Sequence, residues 1–271
     1  ASVIAGIGFI SGVRSMVFVD DSGINAGALT AKSIDKALGC LDISLKQKLP
    51  LIHLVESAGI NLMNYTVEFW SNTGGMFYGL AKLSAAGIPT IAVLHGLSTA
   101  GGAYQPGMSD YVVGVKKNGM AALAGPALLK AATGQIADKD ELGGSEMHAR
   151  ITGLVEYLAE DDEHAIKITR EVIDKIDWNS SLNNRENILF DNPVYDASEL
   201  IGVVSADYKI PYDVREVVTR LVDGSDFIDF KPLYGVSTVC IQTKIYGHPC
   251  GIIGNNGPID PNGATKAAQF I

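Results

Sequence analysis

The sequence predicts an α/β fold built around a largely parallel sheet. Continuous apolar runs such as "LPLIHLVES" (49–57) read as strands covered on both faces. Stretches with helical apolar spacing alternate with these runs. Strand–helix–strand recurs three times, and such units cross over with a single hand.

The elements follow in order. "VIAGIGFISGVRSMVFVDD" (3–21) reads as two strands around a turn at Gly12. "LTAKSIDKALGCLDISLKQK" (29–48) places Ile34, Ala37, Leu38, Leu41 and Leu45 on one helical stripe. The strand 49–57 follows, then a helix over 68–87 that stops at Gly87, a strand over 88–94 and a strand at "YVVGVK" (111–116). "DKDELGGSEMHARITG" (138–153) reads as a polar loop or short helix. "DDEHAIKITREVIDKI" (161–176) is a helix with acids in its first turn and apolar residues at 166, 168, 172, 173 and 176. Periodicity is lost over 177–196, which is rich in Asn and Ser and reads as a linker. The stretch 239–271 then echoes the start: strand, Gly turn, strand, and a helix carrying a Lys. Gly23 and Lys32 are matched in spacing by Gly257 and Lys266.

Bulk properties narrow the function. The chain has 271 residues, 47% hydrophobic and 19% charged, with a formal net charge of −9. So apolar a chain can build a large core and bury surface between subunits. The acidic balance and the lack of a basic run argue against a broad nucleic-acid surface. No apolar stretch approaches the ~20 residues that span a bilayer. The start, "ASVIAGIGFISG", lacks the basic region of a secretory signal. It opens on Ala, as expected of a piece of a longer chain. Cys40, Cys240 and Cys250 show no metal spacing and read as reduced thiols of a cytosolic protein.

The chemistry concentrates at "STAGGAYQPGMSD" (98–110). Here an apolar strand breaks into Gly101 and Gly102 and a helix begins. The first amides of a helix lack internal partners and carry partial positive charge. Glycine lets a ligand reach them. No Lys-Ser/Thr pair follows as a phosphate loop requires, and no dinucleotide fingerprint is present. An oxyanion hole fits better; helix–strand packing that admits only glycine is the competing reading. "VESAGINL" (55–62) repeats the pattern one strand earlier with Ser57, Ala58 and Gly59. Strand carboxyl ends form the ligand crevice of an open α/β sheet, so both turns face one ligand. The titratable residues are less informative. His53 reads as a core histidine, His95 as packing or capping, His164 as surface and Asp110 as a segment end. Glu56 is the best-placed carboxylate, and His148 lies in a polar stretch near Glu146 and Arg150. No acid pair or Ser/His/Asp order is present, so the expected site is backbone, without a side-chain base.

Five stretches carry a resemblance: "AGIPTIAVLHGLSTAGGAYQPGMSD" (86–110), "LAGPALLKAATG" (123–134), "DELGGSEMHARITG" (140–153), "DEHAI" (162–166) and "PYDVREVVTRLVDGSDFIDFKPLYG" (211–235). Together they are similar to the carboxyltransferase (β) subunit of biotin-dependent acyl-CoA carboxylases, across nearly the whole chain. "SAGINL" and "LAGPALLKAATG" are nearer the methylcrotonyl- and geranyl-CoA carboxylase branch than the propionyl-CoA one.

The resemblance implies a crotonase-like (ClpP/crotonase) spiral fold. It implies a first domain over 1–180, and over 181–271 a linker and the beginning of a second domain. Gly101 and Gly102 match the family's first-domain pair and become the catalytic residues. Ser57, Ala58, Gly59, Ala100, Ala103 and Tyr104 are then expected against the acyl-CoA. Ala58 and Ile60 depart from the family's "SGGA" turn, which reshapes the pocket there. The family's reaction releases CO2 from carboxybiotin; biotin N1 takes a proton from the acyl-CoA, and the enolate attacks CO2. Biotin rides on a separate subunit or domain, coenzyme A is part of the substrate, and no metal is needed in this chain. The implied partners are a biotinylated α subunit and further β subunits in a hexamer, with neither nucleic acid nor membrane. The implied location is cytoplasmic, or the mitochondrial matrix in a eukaryote. The same residues also suit a biotin-dependent decarboxylase subunit or a non-catalytic structural β-type subunit.

Overall fold

In a computed structural model of the protein, residues 2–61, 63, 66–178 and 189–271 are described. The chain divides into two compact units, Ala1–Arg170 and Glu171–Ile271. The boundary expected at 180/181 lies outside the described residues.

The first unit opens with a hairpin, β1 (Val3–Ile10) and β2 (Val13–Asp20). Ser11 and Gly12 both take left-handed conformations, φ 46° and 76°. Such two-residue turns match the twist of the paired strands. Then come α1 (Ala31–Gln47), β3 (Leu51–Val55), α2 (Val67–Ala85), β4 (Thr90–Leu94), β5 (Leu97–Thr99), α3 (Gly101–Gly107), β6 (Tyr111–Val115) and β7 (Met120–Ala122). They are followed by α4 (Pro126–Thr133), the short α5 (Lys139–Gly143) and α6 (Ser145–Met147), a π-type turn (His148–Thr152), β8 (Tyr157–Ala159) and α7 (Asp162–Ile176).

The large sheet has the order β1-β2-β3-β4-β6-β8, antiparallel in the first pair and parallel thereafter. Its central strands are buried along their length, as their continuous apolar sequences require. β5 and β7 form a separate two-stranded parallel sheet. The chain thus passes from long strand to short strand to helix in successive turns, β4-β5-α3 and β6-β7-α4. The three-residue strands β5, β7 and β8 were not expected from the sequence.

Local chemistry accounts for the helices. Thr30 caps α1, accepting from the Ser33 N–H. The buried stripe of α1 is Ser33, Ile34, Ala37, Cys40, Leu41 and Ser44; Leu38 and Leu45 lie at its margin. Gly75 and Gly79 let α2 approach closely: a Cβ would meet Leu38 at 3.0 Å and Leu41 at 2.7 Å. On α7, Ile168, Val172 and Ile173 are buried as expected, with Ala165 and Thr169 beside them, while Ile166 is exposed and Ile176 half-buried. Asp161 accepts from the His164 N–H, and the His164 ring is at the surface, as expected. Asp110 ties two strand starts together, accepting from Thr90 N at 2.8 Å and Thr90 Oγ1 at 2.9 Å.

The second unit contains α8 (Leu200–Val203), α9 (Val214–Val218), β9 (Phe227–Phe230), β10 (Thr238–Ile245), β11 (His248–Asn255) and α10 (Pro261–Phe270). Its sheet is β11-β10-β9, antiparallel throughout. The β10–β11 turn, Tyr246 and Gly247, has φ 51° and 73°, the same type as in the first hairpin. Val218, Val222, Val239 and Ile241 form the core. Arg215 links β9 to the start of α9, donating to Asp229 Oδ2 at 2.7 Å and to Asp213 Oδ2 at 3.0 Å. All three cysteines are free thiols, and burial raises the pKa of each.

Candidate active site

The glycine pair lies where the sequence places it, at the strand-to-helix break. Gly101 is the first residue of α3, and Ala100 caps the helix at φ 49°, ψ −120°. That conformation is costly for any residue with a Cβ, on the order of 1–3 kcal/mol. Ala100 is held there by its own N–H, which donates to Ala122 O at 3.2 Å and Leu123 O at 3.1 Å. On its other side the Thr99 N–H donates to Ser57 O at 2.9 Å. The next free amides are those of Gly101 and Gly102. Among the described residues, neither has a hydrogen-bond acceptor, whereas the Ala103 N–H turns back to Ala100 O at 3.1 Å.

The two glycines are glycine for different reasons. A Cβ on Gly102 would meet Ser57 O at 2.6 Å and Ser57 Cβ at 3.0 Å. Close packing of α3 against the end of β3 therefore requires Gly102, as the competing reading of the sequence proposed. A Cβ on Gly101 would meet nothing within 4 Å. Space around Gly101 is open, so a ligand can approach its N–H.

The second small-residue turn adjoins the first. A Cβ on Gly59, at φ +82°, would meet Thr99 O at 3.2 Å, Ala100 Cβ at 3.3 Å and Gly101 N at 3.4 Å. Gly59 is thus packed against the start of the glycine helix. Ala58 is exposed, but its N–H donates to Ala26 O at 3.1 Å. Ser57 is buried; its hydroxyl donates to Gly27 O at 2.9 Å and accepts from the Gly59 N–H at 3.2 Å. Its side chain braces the turn. Tyr104 is exposed one turn along α3, with its ring 5.4 Å from that of Phe77, an aromatic neighbour the sequence did not single out.

The titratable candidates have the following surroundings. His53 is buried in β3, with Nε2 3.1 Å from Asp20 Oδ2, and behaves as the core histidine expected. The Glu56 side chain folds over Gly96. His95 Nε2 is buried and has no hydrogen-bond partner among the described residues. His148 is engaged at both ring nitrogens, by Thr152 Oγ1 and Ala121 O, each at 2.8 Å. Among the described residues, no group of three or more His, Cys, Asp or Glu could hold a metal ion. No described helix is long and apolar enough to cross a membrane.

A cavity of about 490 Å³ opens beside the second turn, lined by Leu29, Thr30, Ala31, Lys32, Asn61, Thr66 and Phe69. The Leu29 N–H donates to Gly59 O at 2.7 Å, so its wall is continuous with the glycine turns. The cavity mixes apolar walls with the N-terminal amides of α1 and the Lys32 cation.

A parallel sheet whose chain spirals through short strands into a helix with open glycine amides defines a crotonase-like fold, and the solved relatives share it. The chain matches the carboxyl transferase domain over residues 1–271 and belongs to that family. It is 45% identical over its full length to a probable biotin-dependent acyl-coenzyme A carboxylase beta2 subunit from Mycobacterium tuberculosis, covering 51% of that protein. It is 48% identical to the β subunit of P. aeruginosa geranyl-CoA carboxylase, with a TM-score of 0.63, 99% of this chain and 50% of that one covered. Transcarboxylase 12S, solved as a hexamer with hydrolysed methylmalonyl-coenzyme A bound, is 30% identical with a TM-score of 0.87 over 99% of this chain and 52% of that one. The chain spans about half the length of the relatives it matches.

Proposed function

We propose that this chain is the acyl-CoA-binding part of the carboxyltransferase subunit of a biotin-dependent acyl-CoA carboxylase. The observation that carries the reading is the pair of unpartnered N–H groups at Gly101 and Gly102, fixed behind a strained residue. Such donors suit the oxygen of a thioester as it becomes an enolate. Neither turn contains a carboxylate or an imidazole: residues 57–60 are Ser, Ala, Gly and Ile, and residues 99–103 are Thr, Ala, Gly, Gly and Ala. The donor set thus fits a reaction whose base and carboxyl group come from elsewhere. Carboxybiotin on a separate subunit supplies both.

The chain's own residues do the rest. Gly101 and Gly102 hold the thioester oxygen, Gly59 and Ala100 form the wall beside it, and Tyr104 borders the acyl group. Ser57 supports this wall through its hydroxyl. The cavity beside Gly59 takes part of the coenzyme A, with the α1 amides and Lys32 near its phosphates. The higher identity to geranyl-CoA carboxylase than to transcarboxylase 12S favours a branched, unsaturated acyl group. The active assembly is a hexamer of β subunits with a biotinylated partner; the hexamer of transcarboxylase 12S supports this.

The second unit begins a second crotonase-like domain. Its hairpin repeats the first, with the same strand lengths and turn, followed again by a capped helix.

The test is carboxyl transfer by the full-length protein with its biotin-bearing partner, across a panel of acyl-CoA thioesters. Gly101→Val should cover the open amides without disturbing the packing, and lower turnover by about 10²-fold. Near-normal turnover in a folded Gly101→Val variant would refute the assignment.

A further inference from the structure

We infer that His148 is a positioning residue for the Ala100–Gly102 turn, acting through β7; this rests on the reading of that turn as the oxyanion-binding element. His148 begins the π-type turn His148–Thr152, a form of backbone that costs helix regularity and recurs at functional positions. Its Nε2 lies 2.8 Å from Ala121 O. A carbonyl only accepts, so Nε2 carries the proton and donates. Its Nδ1 lies 2.8 Å from Thr152 Oγ1. Both nitrogens are engaged, which fixes the plane of the ring.

The carbonyl that His148 holds is one residue from the one that holds the strained alanine. Ala121 pairs with Ser98 and Ala122 with Thr99 across the two-stranded sheet. Ala122 O and Leu123 O then accept from the Ala100 N–H. A three-residue strand has little stability of its own, so its position depends on what grips it. The segment carrying His148 grips β7 repeatedly. Ser145 donates from N at 2.9 Å and from Oγ at 3.0 Å to Gly119 O, just before β7. Gly143 packs so closely that a Cβ there would lie 2.5 Å from Ala121 O. His148 supplies the side-chain donor at the strand's centre. Without it, β7 can relax, Ala100 can leave its strained conformation, and the Gly101 and Gly102 amides lose their aim.

The experiment compares His148→Ala, His148→Gln and Thr152→Val in the full-length protein with its biotin-bearing partner. It reads kcat, KM for acyl-CoA, and amide exchange of the 97–104 peptide. His148→Ala is expected to lower kcat by about 10- to 100-fold, the scale of a misplaced site, with little change in KM, and to speed exchange of that peptide. His148→Gln keeps an N–H donor of similar reach and should restore most of kcat and the slow exchange. Unchanged kcat in His148→Ala, a loss without faster exchange at 97–104, or a Gln variant as impaired as Ala would overturn the inference. If His148→Ala does not fold, Thr152→Val decides. It should show a smaller change in the same direction, and unchanged kcat and exchange would count against the inference. If the wild-type protein carboxylates no acyl-CoA, the functional reading fails by itself; exchange at 97–104 in the variants then settles the positioning role alone.

Discussion

Lys36 and Lys266 hold the same place in two copies of one motif. Each lies five residues after the first residue of its helix, Ala31 or Pro261. Each donates from Nζ to the carbonyl of the first residue of its hairpin, Lys36 to Val3 O at 3.0 Å and Lys266 to Thr238 O at 2.8 Å. The helix caps correspond too: Thr30 accepts from the Ser33 N–H and Asp260 from the Gly263 N–H. The copies differ in burial, since Lys36 is exposed and Lys266 fully buried.

Burial holds the Lys266 ammonium below the ordinary lysine pKa, with Asp229 pulling the other way. Below the lowered folded-state pKa the lysine is protonated in both states, and the cost of the buried charge is present in full. As pH rises through the lowered folded-state pKa, the folded protein releases a proton that the unfolded chain still holds, so stability rises. Lys266→Met lacks this contribution. The melting temperature of wild type relative to Lys266→Met should therefore climb by a few degrees as pH rises through the lowered folded-state pKa towards about 10, the ordinary lysine value. A difference that stays flat or falls would show that the buried ammonium is not strained.

Ala100→Gly should stabilise the protein while slowing it. Glycine relieves the positive-φ strain, on the order of 1–3 kcal/mol, and loses about 0.4–1 kcal/mol through a freer unfolded chain. The net expectation is a gain of about 1 kcal/mol in denaturant unfolding. The freed turn then points its amides less firmly, so turnover should fall. A variant that is less stable than wild type, or faster, would contradict the strain argument.

The glycine pair separates packing from chemistry. Gly102→Ala forces a Cβ onto Ser57 O and should cost about 1–3 kcal/mol, the scale of overpacking. Gly101→Ala places its Cβ in open space and should leave stability within about 0.5 kcal/mol of wild type. Equal stability losses in the two variants would remove the distinction.

Much of this was legible in sequence. The apolar runs at 51–55 and 90–94 and the break at Gly101–Gly102 are strong local signals, because a fully buried strand and an open helix start leave few residue choices. The strands 97–99, 120–122 and 157–159 are too short to show a period. The echo was visible, but Lys32 was matched to Lys266 by counting from the glycines. The connectors have different lengths, 21–30 against 256–260, so the structural match is Lys36. Ser57 looked like part of a ligand turn because its neighbours are small. Its bond to Gly27 O depends on a loop thirty residues away, which no local pattern reveals. His148 was only a polar-stretch histidine until β7 was seen beside it. Ala100 carries the strain in place of a glycine, so composition gave no sign of it.

The last prediction concerns the side chains that the proposed chemistry does not need. Glu56 and His95 flank the ends of β3 and β4 and are the polar groups that sequence places nearest the crevice. The Glu56 side chain packs over Gly96, and its backbone N–H donates to Asp20 Oδ2 at 3.3 Å. Among the described residues, His95 Nε2 is buried and has no hydrogen-bond partner. Neither arrangement suits a group that must exchange a proton with substrate, since a general base needs hydrogen-bond reach of the proton it removes. Glu56→Gln keeps shape and hydrogen-bonding capacity and should retain turnover within about threefold of wild type. His95→Ala opens a small cavity and should cost stability, about 1–3 kcal/mol, with turnover of the folded fraction reduced less than in Gly101→Val. Initial rates of carboxyl transfer, normalised to folded protein, compare the three variants directly. If Glu56→Gln or His95→Ala abolished transfer while Gly101→Val did not, the chemistry would rest on a side-chain base, and the backbone-amide site would be wrong.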